Sequence, residues 1–225
     1  MTQATERKFR TPEMEGAIAR WYAKIRGTDS QLQLYREQAA RLTDGLPDGA
    51  EVLEVAPGPG YLAIEMARSG RLRVTALDIS HTFVEIASRA ARDAGVSLDA
   101  WHGDVGNMPF GADRFHRIVC QAAFKNFRRP LAALDEMYRV LRPGGTAVIE
   151  DMNSEATGAE IASAVRQMRL GPVNSFATRR TLGMLRRRAY SPDRFHRLAE
   201  SSAFRSCDIG LDGIGMEIRL TKPAA

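Results

Sequence analysis

An α/β protein built on a mostly parallel sheet is what this sequence predicts, and three observations carry the prediction. Short β-rich runs alternate with helical patterns from Glu51 to Asn153. The stretch EVLEVAPGPGYLAIEMA (Glu51 to Ala67) reads as a buried strand, a glycine-rich turn and a helix. The chain then ends on FRSCDIGLDGIGMEIRLTKP, two strand-like runs around a short glycine-containing turn, which is a hairpin. Repeated β-α-β units call for parallel strands with helices on both faces.

Each element follows in order. Thr11 to Asp44 is helical in pattern: Pro12 can open a first helix, Gly27 and Asp29 break it, and QLQLYREQAARL continues as a second. LPDG is a turn. Strands are expected in EVLEVA, LRVTALDI, VSLDAWHGD, RFHRIVCQAA and TAVIEDMN. Helices are expected in YLAIEMARSG, in SHTFVEIASRAARDAG with Ser80 as its cap, and in RPLAALDEMYRVLRPGG, ended by Pro and Gly. Ser154 to Arg188 is helical but broken by GPVN, and SPDRFHRLAESSAF carries a serine cap with proline at the first helical position. With the hairpin this makes seven strands. No linker splits the chain, so one domain is expected: helices over 1–46, a core over 51–153, a helical insertion over 154–190, and the last helix and hairpin over 191–225.

Composition sets bounds. The 225 residues are 44% hydrophobic and 26% charged, enough for a full core. No apolar run approaches the roughly 20 residues that cross a bilayer, and the first residues do not read as a secretory signal, so no membrane partner is expected. Cys120 and Cys207 lie far apart, which predicts reduced thiols, a cytoplasmic protein and no zinc site. The net charge of +5 is carried by arginine, which suits phosphate recognition but more often marks codon bias and a solvated face.

The glycine corner carries the chemistry. Without a Cβ, glycine lets a backbone approach a ligand closely, and the carboxyl ends of parallel strands are where such sheets bind ligands. A dinucleotide site would need G-x-G-x-x-G, whereas this register is Ala56-Pro57-Gly58-Pro59-Gly60. Glu54, inside the preceding strand, would repel a pyrophosphate but suits a sulfonium nucleoside bearing an α-ammonium group. No G-K-[ST] follows, which excludes a phosphate loop.

From Glu51 to Asn153 the sequence resembles the class I S-adenosylmethionine-dependent methyltransferases, small-molecule type. The resemblance rests on Glu54 before the turn, Asp78 ending the next strand, Asp104 in GDVGNMPF, VCQAAFKNF after the fourth strand, and LRPGGTAVIEDM. It implies a Rossmann-like, doubly wound sheet under a helical lid. It also implies S-adenosylmethionine as cofactor, S-adenosylhomocysteine as product, no metal, and a small-molecule acceptor whose O, N or C atom is left open. On this resemblance the cofactor contacts are Glu54, Ala56, Pro57, Gly58, Gly60, Asp78 and Ile79 (ribose), Asp104 and Val105 (adenine), and Gln121 (methionine). Ala56 departs from the family's G-x-G-x-G motif at its first position, and as the smallest residue with a Cβ it asks for a β-like φ.

Acceptor-side candidates are Tyr22 on the first helix, Phe124, Lys125 and Asn126 after the fourth strand, and Met152 and Asn153 ending the fifth. Tyr22 either touches ligand or packs the helix down. Lys125 either meets an acidic acceptor or faces solvent. Methyl transfer is an in-line displacement that asks mainly for alignment and exclusion of water, so no catalytic triad is expected. His81, His102, His116 and His196 are not assigned as bases. Two other functions compete with this reading. The arginines of TRRTLGMLRRRAYSPDRFHR suit a nucleic-acid methyltransferase, but the fourth strand ends in Q-A-A-F and offers neither an N-P-P-Y motif nor a Pro-Cys nucleophile. A non-catalytic cofactor-binding protein would keep the same acidic residues. Oligomeric state is left open.

Overall fold

The computed structural model describes residues 14–168 and 170–224. Two helices come first, α1 (Gly16–Arg26) and α2 (Asp29–Thr43). Alternation then begins with β1 (Glu51–Val55), α3 (Tyr61–Ala67), β2 (Arg73–Asp78), α4 (His81–Asp93), β3 (Asp99–His102) and β4 (Phe115–Gln121). A single 3-10 turn (Phe124–Asn126) leads to α5 (Pro130–Val140) and β5 (Leu141–Met152). α6 (Gly158–Gln167), α7 (Pro172–Arg186) and α8 (Pro192–Ser201) precede the hairpin β6 (Asp208–Asp212) and β7 (Gly215–Thr221).

The seven strands lie in the order β3-β2-β1-β4-β5-β7-β6. β1 to β5 are parallel, and β7 runs antiparallel between β5 and β6. Strand order reverses between β1 and β4, and a crevice opens there at the carboxyl ends. Alternation along β1 serves both faces. Leu53 and Val55 join Leu77, Ile118 and Ile149 under α5 and α8, where Leu134, Met137 and Phe195 are buried. Val52 joins Val74, Val119 and Val148 under α2 and α3, where Leu42, Leu62 and Met66 are buried.

The caps form where the sequence placed them. Ser80 accepts from the Phe83 amide and Ser191 from that of Arg194. Pro12 lies outside the described residues; the first described helix, α1, begins at Gly16. The helical stretch is broken at GPVN as expected: α6 ends at Gln167, Gly171 is the N-cap of α7, and Pro172 opens it, where its missing N–H costs nothing. One boundary differs. LRPGG does not end α5 as a loop. α5 stops at Val140 and β5 starts at once, with a bulge that pairs Phe115 with Leu141 and Arg117 with Thr146.

Candidate functional site

The turn after β1 is held by its backbone. The Ala56 amide donates to Leu77 O at 2.8 Å, and Gly60 N donates to Pro57 O at 3.2 Å. Gly58 (φ +57°) and Gly60 (φ +79°) are left-handed, and a Cβ on Gly60 would lie 2.7 Å from Ala87 Cβ. Ala56 is left-handed too, at φ +52°. This corrects the β-like φ expected of it: the turn imposes its conformation, and alanine accepts a strain of about 1–2 kcal/mol there.

Beyond the turn lies a cavity of about 1160 Å³. Thirteen of the sixteen expected site residues line it: Tyr22, Glu54, Ala56, Pro57, Gly58, Asp78, Ile79, Asp104, Val105, Gln121, Lys125, Asn126 and Met152. Three do not. Gly60 is buried against α4 and serves the turn. Phe124 is a core residue packed on Tyr190 and Phe195. Asn153 lies just past β5 and is not among the residues that line the cavity. Its Oδ1 accepts from the Glu155 amide.

The carboxylates differ in setting. Glu54 is buried, and its Oε2 has no partner among the described residues. Burial pushes its pKa up to about 8, and nearby Asp78 adds to the rise. Asp78 Oδ2 accepts from Gly58 N and Oδ1 from Ser80 N, both at 2.9 Å. Burial pushes Asp78 up to about 6 against those two amides. Asp104 accepts from Gly106 N at 2.8 Å and pairs with Arg129 at 2.8 Å. Partial burial opposes its charge, but the Gly106 amide and Arg129 outweigh it and hold the carboxyl below its usual range.

The acceptor side corrects the reading of Lys125. It neither faces solvent nor stands ready for an acidic ligand. It is buried, its Nζ lies 2.7 Å from Asp151 Oδ1, and it also donates to Ala122 O. Asp151 accepts in addition from the Lys125 and Met152 amides. Gln121 donates to Glu150, which Arg41 also engages. Leu182 and Leu185 of α7 and Ile214 add an apolar wall.

Sequence reasoning missed Arg26, Tyr35, Asp151, Leu182 and Leu185, all cavity residues. Arg26 was within reach of it: it stands one helical turn from Tyr22, on the same face of α1. Its guanidinium lies 5.4 Å from the Tyr35 ring centre. α1 is tied to the cofactor edge by Glu15, which accepts from the amides of His81 and Thr82 at 2.8 and 3.1 Å.

No histidine lines the cavity. His81 stacks on His102, with ring centres 3.5 Å apart, and His116 accepts from the Glu51 amide at the opposite end of the sheet. Among the described residues no group of His, Cys, Asp and Glu could hold a metal ion.

The site suits a nucleoside carrying an amino-acid tail. Buried, unpartnered Glu54 Oε2 calls for a cationic donor such as an α-ammonium, and Arg26, which lines the same cavity, supplies a cation for a carboxylate. Asp78 keeps free lone pairs for a diol.

Known proteins agree. Residues 52–145 match the family model described as a methyltransferase domain. The chain is 34% identical over 118 residues to a demethylmenaquinone methyltransferase of Clavibacter sepedonicus, covering 52% of this chain and 46% of that protein. It is 34% identical over 113 residues to a ubiquinone/menaquinone biosynthesis C-methyltransferase of Desulfotalea psychrophila, covering 50% and 45%. The chain therefore spans about half the length of the curated relatives it matches. A Methanococcus maripaludis chain, provisionally described as an S-adenosyl-L-methionine-dependent methyltransferase, shares the fold with a TM-score of 0.73. It is 22% identical, and the match covers 96% of this chain and 97% of that one. Over residues 52–145 the chain is thus similar to a methyltransferase domain, and its fold is that of the Methanococcus maripaludis chain.

Proposed function

We propose that this protein transfers a methyl group from S-adenosylmethionine to a small, largely apolar acceptor. The observation that carries the proposal is the two-part cavity. One part is polar, walled by Glu54, Asp78 and Asp104; the other is apolar, walled by Met152, Leu182, Leu185 and Ile214. When bound, the cofactor supplies an electrophilic methyl on a sulfonium, with a thioether as leaving group. The chain's own residues then bind and align. Glu54 and Arg26 would hold the amino-acid end, Asp78 with Ile79 the ribose, and Asp104 with Val105 the adenine. α1, α2 and α7, which line the cavity, form the lid in this reading and exclude water, with α6 packed behind α7.

No imidazole reaches the cavity, and Lys125 is committed to Asp151. The chemistry therefore favours an acceptor that is already nucleophilic, such as an electron-rich aromatic carbon or an enolate. The curated relatives named for quinone methylation fit this class. Two free cysteines, one of them buried in β4, support a reducing, cytoplasmic setting.

The test is calorimetric titration with S-adenosylmethionine and S-adenosylhomocysteine, with Asp78→Ala as control. Radiolabelled methyl transfer to reduced naphthoquinones and to catechols follows. Saturable binding lost in the variant, with label entering an apolar acceptor, is the expected result. A folded protein that binds neither ligand overturns the proposal.

A further inference from the structure

α7 has two faces, and only one of them is used by the fold. Ser175, Thr178, Leu182 and Leu185 turn inward, and the two leucines pack on the small cluster of Met152, Ile161 and Ala189. The outward face carries Val173, Phe176, Arg180, Met184 and Arg187 at i, i+3, i+7, i+11 and i+14. There Val173 is 81% exposed, Phe176 65% and Met184 61%. Arg180 lies over the Phe176 ring, 5.9 Å from its centre. None of the residues of α7 is buried. Between Glu160 and Asp193 the sequence has seven arginines and no acidic residue.

We infer that the outward face of α7 docks on an anionic lipid bilayer. A helix that mixes exposed apolar side chains with arginine on one face lies in the headgroup layer, its apolar groups buried and its cations on lipid phosphates. Nucleic acid would engage the arginines but offers nothing to Val173 or Met184. No helix among the described residues is long and apolar enough to cross a membrane, but surface docking needs no span. The inward face of the same helix walls the apolar part of the cavity, so docking sets the acceptor compartment beside the lipid.

The experiment is flotation of the full chain with phosphatidylglycerol–phosphatidylcholine vesicles and with phosphatidylcholine vesicles, at about 0.1 M salt. Binding is expected to the anionic vesicles and to weaken with salt. Arg180→Gln with Arg187→Gln should lower the partition about thirty-fold, from about fivefold per arginine. Val173→Ser with Phe176→Ser should lower it at least about tenfold. All four positions lie outside the cavity, so cofactor binding, measured in the same preparations, stays unchanged and shows folding. It also lets docking and the methyl-transfer reading fail separately. Equal binding to both vesicles, or none by a cofactor-binding protein, overturns the inference. So does RNA binding in a gel shift that the Val173/Phe176 variant retains, in the absence of vesicle binding. A dimer that this variant dissociates, without vesicle binding, overturns it in favour of a second copy as occupant.

Discussion

Ligand binding beside Glu54 should expel a proton. In the free protein, burial pushes Glu54 up to about 8. At pH 7 about nine molecules in ten therefore carry it protonated. An α-ammonium at the unpartnered Oε2 stabilises the carboxylate and pulls that pKa back toward the ordinary carboxylate range. About 0.9 proton then leaves per ligand at pH 7, about 0.5 at pH 8 and about 0.1 at pH 9. S-Adenosylhomocysteine is the better probe, because its tail carries the ammonium without the sulfonium. Titration calorimetry in buffers of unlike ionisation enthalpy reads the number directly, as the slope of observed against buffer enthalpy. Glu54→Gln should reduce the slope at pH 7 to the small share of Asp78, about 0.1 from its pKa of about 6. The same group sets a stability trend in the free protein. Between pH 4.5 and 8 the folded state keeps a proton that the unfolded state has lost, so stability falls as pH rises through that window. The fall is at most about 5 kcal/mol and should be missing in Glu54→Gln. Saturable binding with a slope near zero at pH 7, or a slope unchanged in Glu54→Gln, would refute the placement of the ammonium.

Three other outcomes follow from the geometry. Ala56→Gly relieves a left-handed alanine but loosens the unfolded chain; the balance is a gain of about 0.5–1 kcal/mol, a rise of about 1–4 °C in Tm by scanning calorimetry. Gly60→Ala combines φ +79° with a 2.7 Å approach to Ala87, so it should cost about 2 kcal/mol or more by urea unfolding and weaken cofactor binding by shifting the turn. Lys125→Met strands the Asp151 carboxylate in the protein and should cost about 3–5 kcal/mol in the same assay, whereas the Lys125→Met/Asp151→Leu pair recovers most of it. Equal losses for the single and double variants would show that the ion pair is not the source.

What could be read from the sequence was whatever local pattern dictates. β-α-β alternation fixes a parallel sheet, and a parallel sheet puts Glu54, Asp78 and Asp104 at neighbouring strand ends whatever the side chains between them do. The misreadings have a different origin. Asn153 failed by one position: it lies just past the end of β5, where its Oδ1 accepts from the Glu155 amide and its backbone bridges to Tyr190, a partner far off in sequence. Phe124 lies in the core because the 3-10 turn folds it back onto Tyr190 and Phe195, and those partners follow it by more than 60 residues in sequence. Lys125 misled for the same reason, since its partner Asp151 is 26 residues away on β5.

Ala56 shows where local rules yield. Alanine has no intrinsic preference for φ +52°, yet the Ala56 amide is held by Leu77 O while Gly58 N is held by Asp78. These two bonds fix the turn against β2, and a residue small enough to follow takes the strain. Asp78 thus joins the turn to the ribose side of the cavity. A carboxylate that already organises the backbone is preorganised for a diol, and its residual lone pairs, not its net charge, are what it offers. Glu54 is the opposite case, buried and unanswered. One end of the cavity is therefore complete before a ligand arrives, and the other is completed only by a cation.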